Sequence, residues 1–170
     1  MNIPRKLKDF VVHGEGQSFI GEAKSITRPP LELEGEDTRL SGMIAPIKLF
    51  NGLQALEFLH VYGGEIPALN ASFGRHALDA SQLRFTGVYQ HGLQQGYDQV
   101  EITVRGRTYS FDPGSDEIGA DGDVTYKTTC VYYKQVRNGR PEFEIDILNK
   151  VFRVAGVDRL AEERRLLGMF

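Results

Sequence analysis

Asp123–Leu148 reads DVTYKTTCVYYKQVRNGRPEFEIDIL. Thr125, Thr128, Thr129, Val131, Tyr132 and Tyr133 are β-branched or aromatic, the types that suit a pleated, half-buried surface, and no proline interrupts Val124–Asn138. This predicts a strand. Asn138-Gly139 follows, the pair that most readily supplies the two positive φ angles of a type I′ turn. Phe143, Ile145 and Ile147 then alternate with Glu142, Glu144 and Asp146, which predicts a return strand with one apolar and one acidic side. An isolated hairpin is marginal in water, so more strands are required.

Outward from the hairpin, 170 residues allow one compact domain with a real core and are too few for two unless both are small. The chain is 41% hydrophobic and 25% charged. No apolar run approaches the ~20 residues that span a bilayer, which excludes membrane insertion by a helix. The start, MNIPRKLKDFVVHGEG, has basic residues but no apolar signal-peptide core, so the chain is expected to stay where it is made. Cys130 is the single cysteine and rules out an internal disulfide. A net charge of −3 argues against a sequence-reading nucleic-acid binder while leaving passive contact with DNA open.

Taken in order, Pro4–Lys8 reads as an extended arm, and Phe10–Val12 and Gln17–Ile26 as two strands joined by His13-Gly14-Glu15-Gly16. Arg28-Pro29-Pro30 breaks the pattern, Leu31–Glu34 alternates briefly, and Thr38–Pro46 fits neither period. Apolar Leu40, Met43 and Ile44 in so irregular a stretch suggest that it packs on its own domain or on a partner subunit. Leu49–Tyr62 reads as a buried strand with helix as the alternative, and Glu65–Phe73 as a short helix with Pro67 in its first turn. Leu83–Tyr89 and Val100–Arg105 form a second hairpin around the loop His91–Gly96, and Phe111–Asp123 is an acidic link. Val157–Leu167 has helical spacing, with Asp158 early and Arg164 and Arg165 late.

Catalysis needs a cluster of groups with a division of labour, and the sequence supplies none. His13, His60, His76 and His91 have no HxH or HExxH spacing and are expected in solvent or capping roles. Cys130, mid-strand, is expected to act as a small hydrophobe. Asp116, Glu117, Asp121 and Asp123 offer oxygens to calcium but miss the EF-hand register, so a solvated connection is the simpler reading. The row Glu142, Glu144, Asp146 projects in parallel from one strand face, with no acid–base partner nearby in sequence. No enzyme, cofactor or metal site is predicted.

Several strings, in order, resemble the major tail tube protein of contractile-tailed phages and of R-type pyocins. They are Pro4-Arg5-Lys6-Leu7, Ala23-Lys24-Ser25-Ile26-Thr27, Ser41-Gly42-Met43 with Ala45-Pro46, Phe85-Thr86-Gly87-Val88-Tyr89 and Val104-Arg105-Gly106-Arg107. Val131-Tyr132-Tyr133-Lys134, Asn138-Gly139 with Glu144-Ile145-Asp146 and Asn149, and Gly156-Val157-Asp158-Arg159-Leu160 followed by Arg164-Arg165 and Gly168 complete the set. The match runs from near residue 4 to the end. It departs at Glu36–Ser41 and at Met169-Phe170, where the family commonly ends Gly-Leu.

The resemblance implies a mainly β (α+β) subunit, an antiparallel sandwich or barrel with a flanking short helix and a C-terminal helix, giving strands to the shared inner barrel of a hexameric ring. One tail tube domain would cover 1–170, with an N-terminal arm at 1–9, an inter-subunit loop at 34–47 and a C-terminal helix at 157–168. Pro4, Arg5, Leu40, Met43, Ile44, Val157, Asp158, Arg159 and Leu160 would contact neighbouring copies. Glu142, Glu144 and Asp146 would line either the lumen or the outside. Roughly 24 strands at ~4.8 Å spacing and ~40° tilt give a backbone diameter of roughly 48 Å, wide enough for a double helix. The implied partners are copies of itself, the tail sheath, baseplate and tail-terminator proteins, and double-stranded DNA passing without specific binding. The implied place is the virion tail, assembled in the host cytoplasm. A DNA-free injection tube is the alternative reading, and a small β-barrel ligand-binding protein or enzyme a minor one.

Overall fold

In the computed structural model, which describes residues 3–92 and 96–169, the quoted stretch forms two strands, Val124–Arg137 and Arg140–Asp146. The turn between them has φ of 48° at Asn138 and 76° at Gly139, as a type I′ turn demands. Before this hairpin come β1 (Lys6–Gly14), β2 (Gln17–Ser18), β3 (Ala23–Thr27), β4 (Leu33–Thr38), β5 (Ile47–Leu53), β6 (Leu56–Tyr62), helix α1 (Pro67–Ser72), β7 (Ser81–Gln90) and β8 (Tyr97–Asp112). The hairpin strands are β9 and β10, and β11 (Val151–Val154), β12 (Val157–Asp158) and helix α2 (Ala161–Leu166) follow.

Ten strands form one antiparallel sheet folded into two layers. The order β12-β11-β10-β9-β8-β7-β1-β2 runs through it, with β6 on β9 and β3 on β6. β8 and β9 are long enough to serve both layers. The first half of β9 pairs with β6 (Tyr62↔Val124 to Leu56↔Cys130) and its second half with β10 (Asp146↔Tyr132 to Arg140↔Arg137). Where the strand passes between layers the β8–β9 ladder slips, at Arg105/Gly106 and again at Thr108/Ser110, and such bulges sharpen bend and twist. A side chain at Gly106 would collide with the Thr129 carbonyl, so the corner admits only glycine.

Period-two alternation supplies the core. Leu83 and Phe85 of β7, Val100, Ile102 and Val104 of β8, Tyr133 of β9 and Ile145 of β10 face Leu56, Phe58 and Tyr62 of β6, with Tyr126, Ile66 and Leu69, in one buried cluster. Phe19 joins the layers, its amide donating to the Val12 carbonyl (2.9 Å) and its ring meeting Tyr62 edge-on at 5.7 Å.

Several expectations change. Gln17–Ile26 is two strands, because Phe19 turns into the core and breaks the alternation. β1 begins at Lys6, paired with Gln90, so Lys6–Asp9 of the expected arm 1–9 belong to the sheet, and residues 1–2 lie outside the described ones. The expected loop 34–47 belongs to a β-hairpin, β4–β5, and Leu49–Tyr62 divides at Gln54-Ala55 into an exposed β5 and a buried β6. The C-terminal helix is confined to Ala161–Leu166, since Val157-Asp158 pair with β11. His60, expected in solvent or at a cap, is fully buried between the Tyr62 hydroxyl (2.9 Å) and Thr128 Oγ1 (3.1 Å). The loop His91–Gly96 falls partly on residues 93–95, outside the described ones.

Candidate functional site

The surfaces left unfinished by the fold are the functional candidates. The first is the β4–β5 ribbon. Its ladder runs from Leu33↔Leu53 to Thr38↔Ile47, among the described residues it pairs with no strand of the main sheet, and its base is closed by Gln54 N donating to Glu32 O (2.9 Å). Arg28-Pro29-Pro30 ends β3 and lets the chain leave the sandwich. Leu33, Ile47, Leu49 and Phe50 are exposed on the ribbon, and Leu40 and Ile44 at its tip, Ile44 almost completely. A lone two-stranded ribbon is marginal, and an apolar one in water is a liability.

The second is a set of sheet edges. One edge of β3 and the Lys6–Val12 edge of β1 have no strand partner among the described residues. On β8, ladder pairing to β7 stops at Gly106; Gly74 N donates to Thr108 O (3.1 Å), and Tyr109–Asp112 continue with β9 on one side only. Open edges template further pairing.

The residues singled out in the sequence fall at several places. Pro4 is exposed, and the Arg5 guanidinium lies against the buried Asp98 carboxylate, which also accepts from Asn138 Nδ2 (2.8 Å) and has His91 Nε2 3.6 Å away. The Asn138 hydrogen bond first, and the Arg5 charge against the cost of burial, hold Asp98 below the usual carboxylate range. Leu40, Met43 and Ile44 share the ribbon tip, where Leu40 N meets Met43 Sδ at 3.5 Å. Val157 is exposed. Asp158 accepts from Arg164 (2.6 Å) and from Leu160 N (3.1 Å), a cap that lowers its pKa chiefly through Arg164, and Arg159 N donates to Phe152 O (2.7 Å).

The acidic row is spoken for within the chain. Glu142 accepts from Gln135 Nε2 (2.6 Å) and Arg137 Nε (2.7 Å), Glu144 from Arg153 (3.0 Å) and Tyr132 (3.2 Å), and Asp146 from Asn149. Burial pushes Glu142 up, but the bonds from Arg137 and Gln135 outweigh it and leave its pKa lowered. Elsewhere the chemistry is structural. Burial raises the Cys130 thiol to about 12, and Asp123 is held by Lys24 Nζ at 2.8 Å. Among the described residues no three His, Cys, Asp or Glu side chains gather to hold a metal ion, and no helix is long and apolar enough to cross a membrane. The sequence marks the ribbon tip through apolar Leu40, Met43 and Ile44 and the brief Leu31-Glu32-Leu33-Glu34 alternation, but shows neither the strand pairing of the ribbon nor the Asp98 node.

Comparison with known proteins gives these surfaces a context. The family described as "Phage tail tube protein FII" matches residues 4–168. The tail tube protein of Escherichia phage P2 is 36% identical over 175 aligned positions, covering 99% of this chain and 100% of that protein. The major tail tube protein of Serratia phage KSP20 is 33% identical over 158 positions, 92% of this chain and 91% of that one. These relatives are structural proteins rather than enzymes, and tail tube proteins associate with their own kind and with other tail components. An exposed ribbon and open sheet edges on an otherwise well-packed sandwich are what such a building block needs, and this chain belongs to the phage tail tube protein family.

Proposed function

We propose that this protein forms the inner tube of a contractile tail, as hexameric rings stacked end to end, and that each ring closes through the edges of β3 and β8. One observation carries the reading. Among the described residues the layer β3-β6-β9-β8 has an edge without a strand partner on each side, along β3 and along Tyr109–Asp112 of β8, and its four strands alternate in direction. Copies related by rotation about a tube axis keep that direction, so β3 of one meets Tyr109–Asp112 of the next antiparallel, and an even count closes without a mismatch. Six copies give the 24-strand barrel expected from the resemblance.

The larger layer then lies outside this barrel. Ser25, Thr27, Glu57, Thr125, Lys127, Thr129 and Arg107, on the outward face of the smaller layer, line the bore. Charges of both signs there give no continuous basic track for phosphates, so DNA slides rather than binds. Glu142, Glu144 and Asp146, on the other layer, fall to the outside of the tube. The β11–β12–α2 flank, with Val157, Asp158, Arg159 and Leu160, is on the β3 side of the subunit, and β1 with Pro4 and Arg5 on the β8 side, so these meet in the same lateral contact. The relatives come from phages, which favours genome delivery over a DNA-free injection tube. Sheath, baseplate and terminator proteins complete the assembly, made in the host cytoplasm.

The test is a chain carrying Ser25→Cys and Tyr109→Cys, assembled and treated with a short bis-maleimide. Edge pairing yields a ladder in a denaturing gel that stops at six subunits. Rings visible by negative-stain microscopy that release only monomers on the same treatment would overturn it.

A further inference from the structure

The β4–β5 ribbon is rooted in the sandwich at both of its legs. On the incoming leg Arg28 Nη2 donates to the Tyr89 hydroxyl at 2.8 Å, with the guanidinium carbon 5.9 Å from the centre of that ring. Pro29 beside it is buried, and Leu31 packs on the buried cluster. On the outgoing leg Leu53 packs on the same cluster, and the Gln54–Glu32 backbone bond ties the two legs to each other. Pro29 and Pro30 stiffen the step, because each fixes its own φ and holds the residue before it extended.

These contacts differ in what they constrain. The Leu31 and Leu53 side chains hold the root to the core without direction, since apolar burial has none. The Gln54–Glu32 bond lies inside the ribbon and leaves its angle to the sandwich open. Arg28–Tyr89 is directional, and among the described residues it is the one side-chain hydrogen bond that joins residues 28–54 to the rest of the chain; the other such bonds there, Asn51–Glu36 and Leu40–Met43, are internal to the ribbon. It also crosses between layers. Arg28 continues β3 of the smaller layer, whereas Tyr89 stands in the larger one, opposite Leu7 of β1 and Asp98 of β8. Beside burial, which raises both, the Arg28 charge bears on Tyr133 of β9 and Glu142 of β10. Those two are joined through Gln135, which accepts from the Tyr133 hydroxyl (2.7 Å) and donates to Glu142 (2.6 Å). The root of the ribbon is thus fastened to a polar network of the larger layer through one guanidinium, whose planar, forked donors fix an angle that a lysine's single rotating ammonium does not.

We infer that Arg28 is a positioning residue for the β4–β5 ribbon, setting its angle to the sandwich within the single subunit, before any partner arrives. The geometry belongs to one chain, and only its use in assembly rests on the tube reading above. A ribbon oriented in advance loses less freedom on association than one that swings. The test measures that angle directly. Ser41→Cys at the ribbon tip and Gln82→Cys on the exposed face of β7 carry nitroxide labels in dilute, unassembled subunits, and their separation is read by pulsed electron spin resonance. Cys130 stays unlabelled, being buried with its thiol pushed up to about 12. One narrow distance is expected in the labelled parent, about twofold broader in Arg28→Met and in Tyr89→Phe, and intermediate in Arg28→Lys, with melting of Tyr89→Phe within a few degrees of the parent. Equal widths in all four chains, or a broad distribution in the parent, would overturn the assignment whether or not tubes form. Broadening in the variants, while the unmodified chain forms no tubes at any concentration, would sustain Arg28 in this role and retire the tube reading alone.

Discussion

His60 carries the clearest pH signature in the protein. Its ring is stacked on Tyr126 at 5.6 Å, its two nitrogens face Tyr62 and Thr128, and Thr108 Oγ1 extends the network to Thr128 at 3.0 Å. Burial lowers its pKa from 6.5 to about 3. The folded state therefore keeps a neutral imidazole where the unfolded chain takes up a proton. The stabilisation is complete above the unfolded value of 6.5 and is lost as pH falls toward 3, at about 1.4 kcal/mol per pH unit. Urea unfolding at pH 7.5, 6 and 5 should show that slope in the unmodified chain and a flatter one in His60→Gln. Equal slopes for both would place the titrating group elsewhere. The sequence puts this histidine in solvent or at a cap, because an alternating strand shows which residues share a face, whereas only the second layer decides whether that face is dry.

At the scale of elements, the β9–β10 hairpin is set by local chemistry. Asn138 also holds the turn down onto β8, its Oδ1 accepting from Gln99 N and its own N donating to Gln99 O, both at 2.9 Å. Gly139→Val places a β-branched residue at a φ of 76°, a cost of ~1–2 kcal/mol. For a chain of this length that lowers melting by roughly 2–8 °C. Calorimetry showing no change would mean the turn had relaxed into another type. The hairpin was legible because alternation and turn chemistry agree within a short stretch. The β4–β5 ribbon was not, because Lys48-Leu49-Phe50 has the apolar content of a core strand while its burial depends on another molecule.

At the scale of the whole molecule, folding and assembly use different residues. The buried cluster draws on both layers and on α1, and none of its buried members lies in the ribbon. Excising Glu34–Gly52 and joining Leu33 to Leu53 through Asn-Gly should leave thermal melting within a few degrees of the full chain, because little buried apolar area is removed. The shortened chain should remain as single rings or smaller species in sedimentation. Tubes of normal length from it would show that stacking runs through other surfaces.

The β7–β8 and β9–β10 hairpins, the alternation of β10, the Asn138-Gly139 turn, the absence of catalytic spacing and the family likeness were all written in the residues themselves, because each depends on neighbours a few positions apart or on strings kept in order. The wrapping of one sheet into two layers at the Gly106 bulge, the burial of His60, the Arg5–Asp98 contact and the free edges of β3 and β8 were decided by tertiary structure alone. Those features arise between residues far apart in the chain, whose meeting depends on how β8 and β9 bend, and no local pattern encodes that bend.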